Sequence, residues 1–276
     1  MKKYFGDKAF YLTTLSIALP IMAQQFITTF VNLIDNIMIG NIGSTALTAV
    51  TVSNRIYLLF NSTLFGFCGA ACIFIAQYYG AKNNQKCQKI LDMNIIVTVL
   101  MALLFMAGLF FIPRTLLGFF ATDEAVLTLS QDYTRIALYT YAPYAISYTI
   151  MMALRSVGEN KIQMIVGSLT VLINTSLNYI LIFGHFGFDA MGVEGAAIAT
   201  LIARVFEMIV YIYLLKSHKY LFHFKVRELF KFDIPLLKST ARKAVPLTVN
   251  EIMFSLGMAM IFISYVRCDE SLIASV

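Results

Sequence analysis

The chain has 276 residues, of which 59% are hydrophobic and only 13% are charged. Soluble globular proteins carry about 45–50% apolar and about 25% charged residues, so this composition excludes an ordinary water-soluble fold. A net charge of +6 on so apolar a chain does not form a solvated basic face, which excludes nucleic acid as a partner. The composition predicts an all-α integral membrane protein.

A helix that crosses the hydrocarbon core needs about 20 largely apolar residues. Seven stretches of the chain fit this requirement. In chain order they are Ala9–Ile34, Ala46–Tyr79, Met93–Pro113, Ile136–Leu154, Ile162–Gly184, Met191–Leu215 and Ala244–Val266. The first stretch is longer than a secretory signal core of about 7–15 residues. We therefore expect it to stay in the membrane.

The lysines and arginines predict the orientation, because cytoplasmic loops carry an excess of them. With a cytoplasmic N-terminus, 16 of the 21 lysines and arginines fall in cytoplasmic segments, and the bias alternates correctly at every connection. The chain is therefore predicted to be a multi-pass protein of the cell membrane whose N-terminus is cytoplasmic.

The connection between the sixth and seventh spans, residues 216–243, mixes basic and aromatic side chains. Two interpretations stay open. The segment lies as an amphipathic element on the anionic inner leaflet, or it is a basic linker between two helical bundles. Both interpretations place a domain boundary here.

A short internal repeat crosses this boundary. Ala18-Leu19-Pro20-Ile21 in the first span resembles Ala244-Val245-Pro246-Leu247 in the seventh, and both spans would enter from the cytoplasm. Many transporters consist of such parallel repeats. We therefore expect a six-helix transporter lobe over residues 1–215, a basic amphipathic linker over 216–243, and the first helix of a second, truncated lobe over 244–276.

Four polar residues lie within the predicted spans at a similar depth. Asp35 ends the first span on its predicted outer side. Asn174 and Asn178 lie roughly 18 and 24 Å above the start of the fifth span and share one helix face. Thr200 lies roughly 13 Å below the outer end of the sixth span. Oxygen ligands of this kind suit Na⁺, and an isolated carboxylate suits a proton, but Asn and Thr also join membrane helices by hydrogen bonds.

Other charged residues within the spans have different interpretations. Arg55 is a candidate counter-ion for Asp35. Arg204 and Glu207 are three residues apart on one helix, which is an ion-pair spacing, and we interpret them as a structural pair towards the cytoplasm. Glu251 has no charged partner within a turn and is a candidate substrate-binding or proton-binding residue.

Several motifs in a fixed order resemble the multidrug and toxic compound extrusion (MATE) family of cation antiporters. The resemblance covers essentially the whole chain. It rests on Ala18–Gln24, Asp35–Gly40, Ile75–Ala81, Leu154–Asn160, Asn174, Asn178 and Gly192–Thr200.

This resemblance implies two six-helix lobes around a central cleft, so the remaining C-terminal lobe is expected in the full-length protein. It implies that Asp35, Asn174, Asn178 and Thr200 line a Na⁺ or proton site in the N-terminal lobe. Some relatives carry Asp where this chain has Asn178. Glu251 matches an acidic residue that helps bind cations in the second lobe. No cofactor is implied beyond the coupling ion, Na⁺ or H⁺.

We therefore predict a secondary active antiporter that exports organic, mainly cationic, drugs or toxic compounds while Na⁺ or H⁺ flows inward. Its partners would be the lipid bilayer and small organic substrates. We predict no enzymatic activity, since no nucleophile with a base is recognisable. Two alternatives stay open. A lipid-linked oligosaccharide flippase of related fold should show a strongly cationic cavity, whereas only Arg55 and Arg204 lie within the spans. The other alternative is a non-transporting membrane scaffold fragment.

Overall fold

A computed structural model describes residues 7–217, 221–224 and 234–268, and this part of the chain is helical with short connections. Nine α-helices lie within these ranges. They are α1 (Lys8–Gly40), α2 (Ser44–Gly80), α3 (Asn84–Phe111), α4 (Pro113–Leu117), α5 (Glu124–Ala137), α6 (Tyr141–Ser156), α7 (Asn160–Phe183), α8 (Gly192–Lys216) and α9 (Ile234–Cys268). A short 3₁₀ turn, Leu138–Thr140, joins α5 to α6. The predicted all-α membrane architecture is thereby confirmed.

Five of the described helices, α2, α3, α7, α8 and α9, are each long and apolar enough to cross a membrane. The predicted first span lies within the 33-residue α1. The predicted fourth span, Ile136–Leu154, is divided among the end of α5, the 3₁₀ turn and α6. Helices therefore cover all seven predicted segments, although their bounds differ from those that apolarity predicted.

The helical stretch that contains the fourth span begins well before Ile136. The carboxylate of Asp123 accepts hydrogen bonds from the backbone nitrogens of Ala125 and Val126 and so caps the start of α5. The polar side chains that follow are buried against α2: Ser130 Oγ donates to the Ala49 carbonyl at 3.0 Å. Apolarity alone misplaced this boundary because these hydroxyls are satisfied inside the protein.

The third helix likewise begins at Asn84, before the predicted Met93. The intervening Asp92 is buried, and Gln88 Nε2 donates to its Oδ1 at 2.8 Å. The amide of Gln88 also pairs with the backbone of His223, donating to the carbonyl at 2.7 Å and accepting from the nitrogen at 2.8 Å. This pairing holds the start of the predicted linker against α3, where the Phe222 side chain is fully buried.

Much of the predicted linker lies outside the described residues, and so does its proposed contact with the membrane surface. Within the described part, α9 begins at Ile234 and therefore includes the last ten residues of that segment. The repeated Pro246 lies inside α9. The division of the chain into lobe, linker and second lobe stays a prediction.

Close packing of α7 against α8 positions the polar residues on both helices. A Cβ atom at Gly195 would lie 2.7 Å from the Leu181 carbonyl oxygen, so only glycine permits this approach. Fully or almost fully buried alanines at 196, 199 and 203 continue the small-residue face of α8. Small residues allow membrane helices to approach each other closely. Asn174 on α7 therefore lies beside Thr200 on α8.

The second close helix pair is α2 and α9, which pack antiparallel. A Cβ atom at Gly66 would lie 2.5 Å from the Cα of Thr248. The hydroxyls of Ser62 and Ser255 are 2.9 Å apart. Residue numbers rise along α9 as they fall along α2, which establishes the antiparallel direction. Because one face of α2 packs against α9, a different face of α2 is directed towards the other helices.

Candidate functional site

A cavity of about 990 Å³ lies among α1, α2, α5, α6, α7 and α8. Its wall combines aromatic rings with a small number of charges, as is typical of sites that bind small organic molecules. The aromatic lining residues are Tyr57, Phe65, Tyr133, Tyr141, Tyr144 and Tyr148. The charged lining residues are Asp35, Arg55, Arg155, Arg204 and Glu207.

The carboxylate of Asp35 lies on α1, where the residue is half-buried and faces α7. The Asn174 amide lies between Asp35 and Thr200. In the orientation that satisfies its neighbours, its nitrogen donates to Asp35 Oδ2 at 2.9 Å and its oxygen accepts from the Thr200 backbone nitrogen at 3.3 Å. One amide therefore connects the first, seventh and eighth helices.

Two further side chains of α7, Asn178 and Thr175, face the same carboxylate. The terminal amide of Asn178 is 3.5 Å from that of Asn174. Three oxygen atoms of this cluster are buried and form no hydrogen bond of standard geometry, although Thr175 and Asn178 lie within reach of the Asp35 carboxylate: Asp35 Oδ1, Asn178 Oδ1 and Thr175 Oγ1. Buried polar atoms without partners are rare in folded proteins and require a physical explanation.

Thr200 completes the cluster from α8. Its Oγ1 donates to the Ala196 carbonyl at 2.9 Å, which commits the hydroxyl proton and leaves the oxygen lone pairs available. The terminal amide of Asn174 is 3.4 Å from this oxygen. The Tyr133 hydroxyl on α5 also faces Thr200. We refer to Asp35, Asn174, Thr175, Asn178 and Thr200 as the α1–α7–α8 oxygen cluster.

The structure thus brings together all four residues that the sequence predicted for an ion site. Thr175 was not predicted, although it precedes Asn178 by three residues and therefore shares its helix face. Tyr133 was also missed, because it lies in a stretch that apolarity placed before the fourth span. The binding of a coupling ion by these residues stays a prediction.

Arg55 and Asp35 both lie in the described part of the chain, and they do not form the predicted ion pair. The Arg55 guanidinium carbon instead lies 3.9 Å from the centre of the Phe262 ring on α9. Its Nε is buried without a hydrogen-bond partner. Glu251 lies half-buried on α9. It is not among the described residues that line the cavity.

The predicted pairing of Arg204 with Glu207 is confirmed. Arg204 Nη1 donates to Glu207 Oε2 at 2.8 Å. Both side chains line the cavity. The interpretation of the two residues as a purely structural pair did not predict this position. The Arg204 guanidinium also lies 4.7 Å from the centre of the Tyr144 ring.

Comparison with known sequences identifies the family. The MatE family matches residues 20–180 of the chain. The chain belongs to the MatE family. Members of this family are transporters and not enzymes, and they occupy the membrane as multi-pass proteins. The match confirms the resemblance to MATE proteins and does not favour the flippase alternative.

Two bacterial relatives illustrate the extent of the similarity. The probable multidrug resistance protein YoeA of Bacillus subtilis is 27% identical over 241 residues, covering 86% of this chain and 52% of that protein. The probable multidrug resistance protein NorM of Thermotoga maritima is 26% identical over 248 residues, covering 89% and 53%. The chain therefore spans about half the length of the curated relatives it matches.

Solved structures show the same fold. An outward-facing multidrug resistance MATE transporter matches with a TM-score of 0.78 at 20% identity, covering 88% of this chain and 53% of that one. An inward-facing MATE transporter matches with a TM-score of 0.77 at 21% identity, covering 94% and 59%. The helices of this MATE chain thus adopt a fold that occurs in structures of both conformations.

Proposed function

We propose that this MATE chain belongs to a secondary active antiporter in which the α1–α7–α8 oxygen cluster binds the coupling ion, Na⁺ or H⁺. The ion would enter the cell as organic compounds leave it. This proposal includes the predicted site residues Asp35, Asn174, Asn178 and Thr200, and it adds Thr175.

The observation that supports it is the set of three buried oxygens, at Asp35, Thr175 and Asn178, that face one another and form no hydrogen bond of standard geometry. A cation at this point would interact with all three, and a proton on Asp35 would give Oδ1 a hydrogen to donate. Carboxylate, amide and hydroxyl oxygens are the ligands that hard cations prefer. A carboxylate within a membrane span is costly to retain, so its retention favours a functional role.

Binding of an ion can drive transport only if the two access states bind it with different affinity. The cluster meets this requirement in principle, because its oxygens come from three helices. A shift of α1 against α7 would move Asp35 away from Asn174 and so reduce ion affinity. The state that keeps the 2.9 Å contact would then be the ion-bound state.

The cavity supports organic molecules as the transported substrates. Its volume of about 990 Å³ and its six aromatic lining residues suit compounds of drug size. Aromatic faces attract organic cations. The predicted mainly cationic character of the substrates therefore stays part of the proposal, as does the predicted role of Glu251 in binding substrate or a proton beyond the linker.

The test is export of a fluorescent organic cation from cells that express the complete product of the gene. Native protein would be compared with Asp35→Asn at matched membrane levels, with and without external Na⁺ and at two external pH values. Asp189→Asn is the matched control, because Asp189 is an exposed loop carboxylate. We expect Asp35→Asn to abolish ion-dependent export and Asp189→Asn to retain it.

The dependence of native export on Na⁺ or on the pH gradient would identify the ion. Equal export by native protein and Asp35→Asn would remove Asp35 from the mechanism and overturn the proposed site. Export that responds to neither gradient would overturn the antiport proposal itself.

A further inference from the structure

The Arg204–Glu207 pair occupies the cavity wall next to the oxygen cluster. Arg204 follows Thr200 by four residues on α8, and Glu207 follows three residues later, so all three side chains lie along one face of the helix. The Glu207 side chain is 9% exposed, and that of Arg204 is 30% exposed. The nearly buried Glu207 carboxylate is thus paired with an arginine whose side chain is partly exposed.

The groups around the guanidinium have the chemistry of a receptor for organic cations. One side of the guanidinium contacts the Glu207 carboxylate at 2.8 Å. The guanidinium carbon lies 4.7 Å from the centre of the Tyr144 ring. A carboxylate together with an aromatic face is the combination that binds ammonium groups in proteins.

The Tyr144 ring is held in place independently of Arg204. Its hydroxyl donates to Asn61 Oδ1 at 2.6 Å, and its centre is 5.3 Å from that of Tyr57. The Tyr57 side chain also belongs to the cavity lining, and its hydroxyl faces that of Tyr144. Tyr57 therefore supports the Tyr144 ring from a second side.

We propose that Glu207 and Tyr144 form a subsite for the cationic group of the substrate, and that Arg204 is a tethered cation that occupies this subsite until the substrate displaces it. The proposal rests on the proposed function, since it assigns a substrate class to the same cavity. Arg204 would then set selectivity, because only a cation that satisfies both groups can replace it.

The ion pair of Arg204 favours this arrangement over binding of an anion to Arg204. The described lining holds three arginines and two carboxylates, but Glu207 already neutralises Arg204 at 2.8 Å. An anion at Arg204 would face the buried Glu207 carboxylate at short range, and like charges at such distances repel strongly in a medium of low dielectric constant. A cation at Glu207 instead needs only the movement of a side chain that is already partly exposed.

The test measures dissociation constants for two small probes in lipid nanodiscs, using the complete gene product. The probes are benzyltrimethylammonium and phenylmethanesulfonate, which have similar size and opposite charge. Arg204→Met removes the tethered cation but keeps an unbranched side chain about as long as the aliphatic stem of arginine. We expect this variant to bind the ammonium probe at least about tenfold more tightly than native protein does, while its affinity for the sulfonate does not rise.

Two controls locate the effect. The double variant Arg204→Met with Glu207→Gln should lose the gain, because the carboxylate is then absent. Arg114→Met should leave both affinities unchanged, since Arg114 pairs with Glu124 at 2.6 Å on the surface and outside the cavity lining.

A further pair of variants keeps the proposal testable if Arg204→Met does not fold. Tyr144→Leu retains the ion pair but removes the ring, and it should weaken binding of the ammonium probe about threefold to tenfold. Tyr179→Leu removes an exposed ring of α7 that lies outside the cavity lining, and it should leave the affinity for the ammonium probe unchanged. Equal affinities in Tyr144→Leu and Tyr179→Leu would overturn the proposal.

The remaining outcomes are also decisive. No gain in ammonium affinity in Arg204→Met overturns the proposal, and so does a loss of sulfonate binding in that variant, which would make Arg204 an anion ligand. If Arg204→Met gains cation affinity while Asp35→Asn still exports normally, the ion-coupling proposal fails and the subsite stands. If Asp35→Asn abolishes export while no Arg204 or Tyr144 variant changes cation affinity, only the subsite fails.

Discussion

Two carboxylates in one cavity have opposite surroundings. Asp35 is approached by neutral amide and hydroxyl groups, and one of its oxygens is buried and forms no hydrogen bond of standard geometry. Glu207 is nearly buried as well, but an arginine three residues away on the same helix neutralises it. The second carboxylate therefore already holds a cation supplied by the protein, whereas the first does not. In the two proposals above, this difference separates the site of the coupling ion from the site at which the substrate replaces Arg204.

The largest expected effect comes from removing the negative charge of Asp35, or from moving it to another helix. Asp35→Asn should remove proton binding at this position, because an amide does not titrate, and should reduce Na⁺ affinity about 12-fold to 160-fold, which corresponds to the 1.5–3 kcal/mol of an interaction with a charged group. Combining it with Asn178→Asp restores one carboxylate within the same cluster and should recover much of that loss. Ion-dependent thermal stabilisation of the purified protein measures both changes. If the double variant binds the ion no more tightly than Asp35→Asn does, the carboxylate is required on α1 itself.

The next largest effect concerns the contribution of the ion pair between Glu207 and Arg204 to the stability of the protein. Glu207→Gln leaves the Arg204 guanidinium without its partner and should lower the free energy of unfolding by about 1–3 kcal/mol, less than for a fully buried pair because Arg204 is 30% exposed. Glu124→Gln is the matched control, since its pair with Arg114 is more than 60% exposed on both sides. It should cost less than about 1 kcal/mol. Melting temperatures in one detergent compare the two, and equal shifts would contradict the prediction.

A third prediction tests the helix packing that both sites share. Gly195→Ala places a Cβ atom where the Leu181 carbonyl lies at 2.7 Å, so α7 and α8 must separate. We expect a loss of about 1–3 kcal/mol in stability and weaker ion binding, because Thr200 moves away from Asn174. Gly257→Ala on α9 has open space at the same position and should change stability by less than about 1 kcal/mol. Unchanged ion binding in Gly195→Ala would mean that the α7–α8 contact does not position the cluster.

The smallest expected effect is the loss of one neutral oxygen. Thr200→Val keeps the shape of the side chain but removes Oγ1, and it should reduce ion affinity about 2-fold to 12-fold, as for a neutral hydrogen bond of about 0.5–1.5 kcal/mol. Thr200→Ser retains the oxygen and should stay closer to native affinity. The same thermal measurement at graded Na⁺ or pH distinguishes them. If both variants lose affinity equally, the methyl group and not the oxygen is responsible.

The sequence by itself determined the membrane class, the approximate positions of the spans and the family. These follow from local properties: apolar stretches long enough to cross a bilayer, and short motifs in a fixed order. Helix geometry also predicted a similar depth for Asp35, Asn174, Asn178 and Thr200, and the resemblance to MATE proteins implied that these four residues line one site. The spacing of Arg204 and Glu207 likewise predicted their ion pair.

Only the tertiary structure decided which faces of the helices meet. It extended the helix that contains Ser130 beyond its apolar part, since a hydroxyl bonded to a neighbouring helix does not require water. It placed Arg55 over Phe262 and brought Thr175 to the carboxylate of Asp35. It also directed the Arg204–Glu207 pair into the cavity beside Tyr144. Hydropathy along a chain records how apolar each helix is, whereas the partners of a buried polar group depend on the rotation and contact of separate helices.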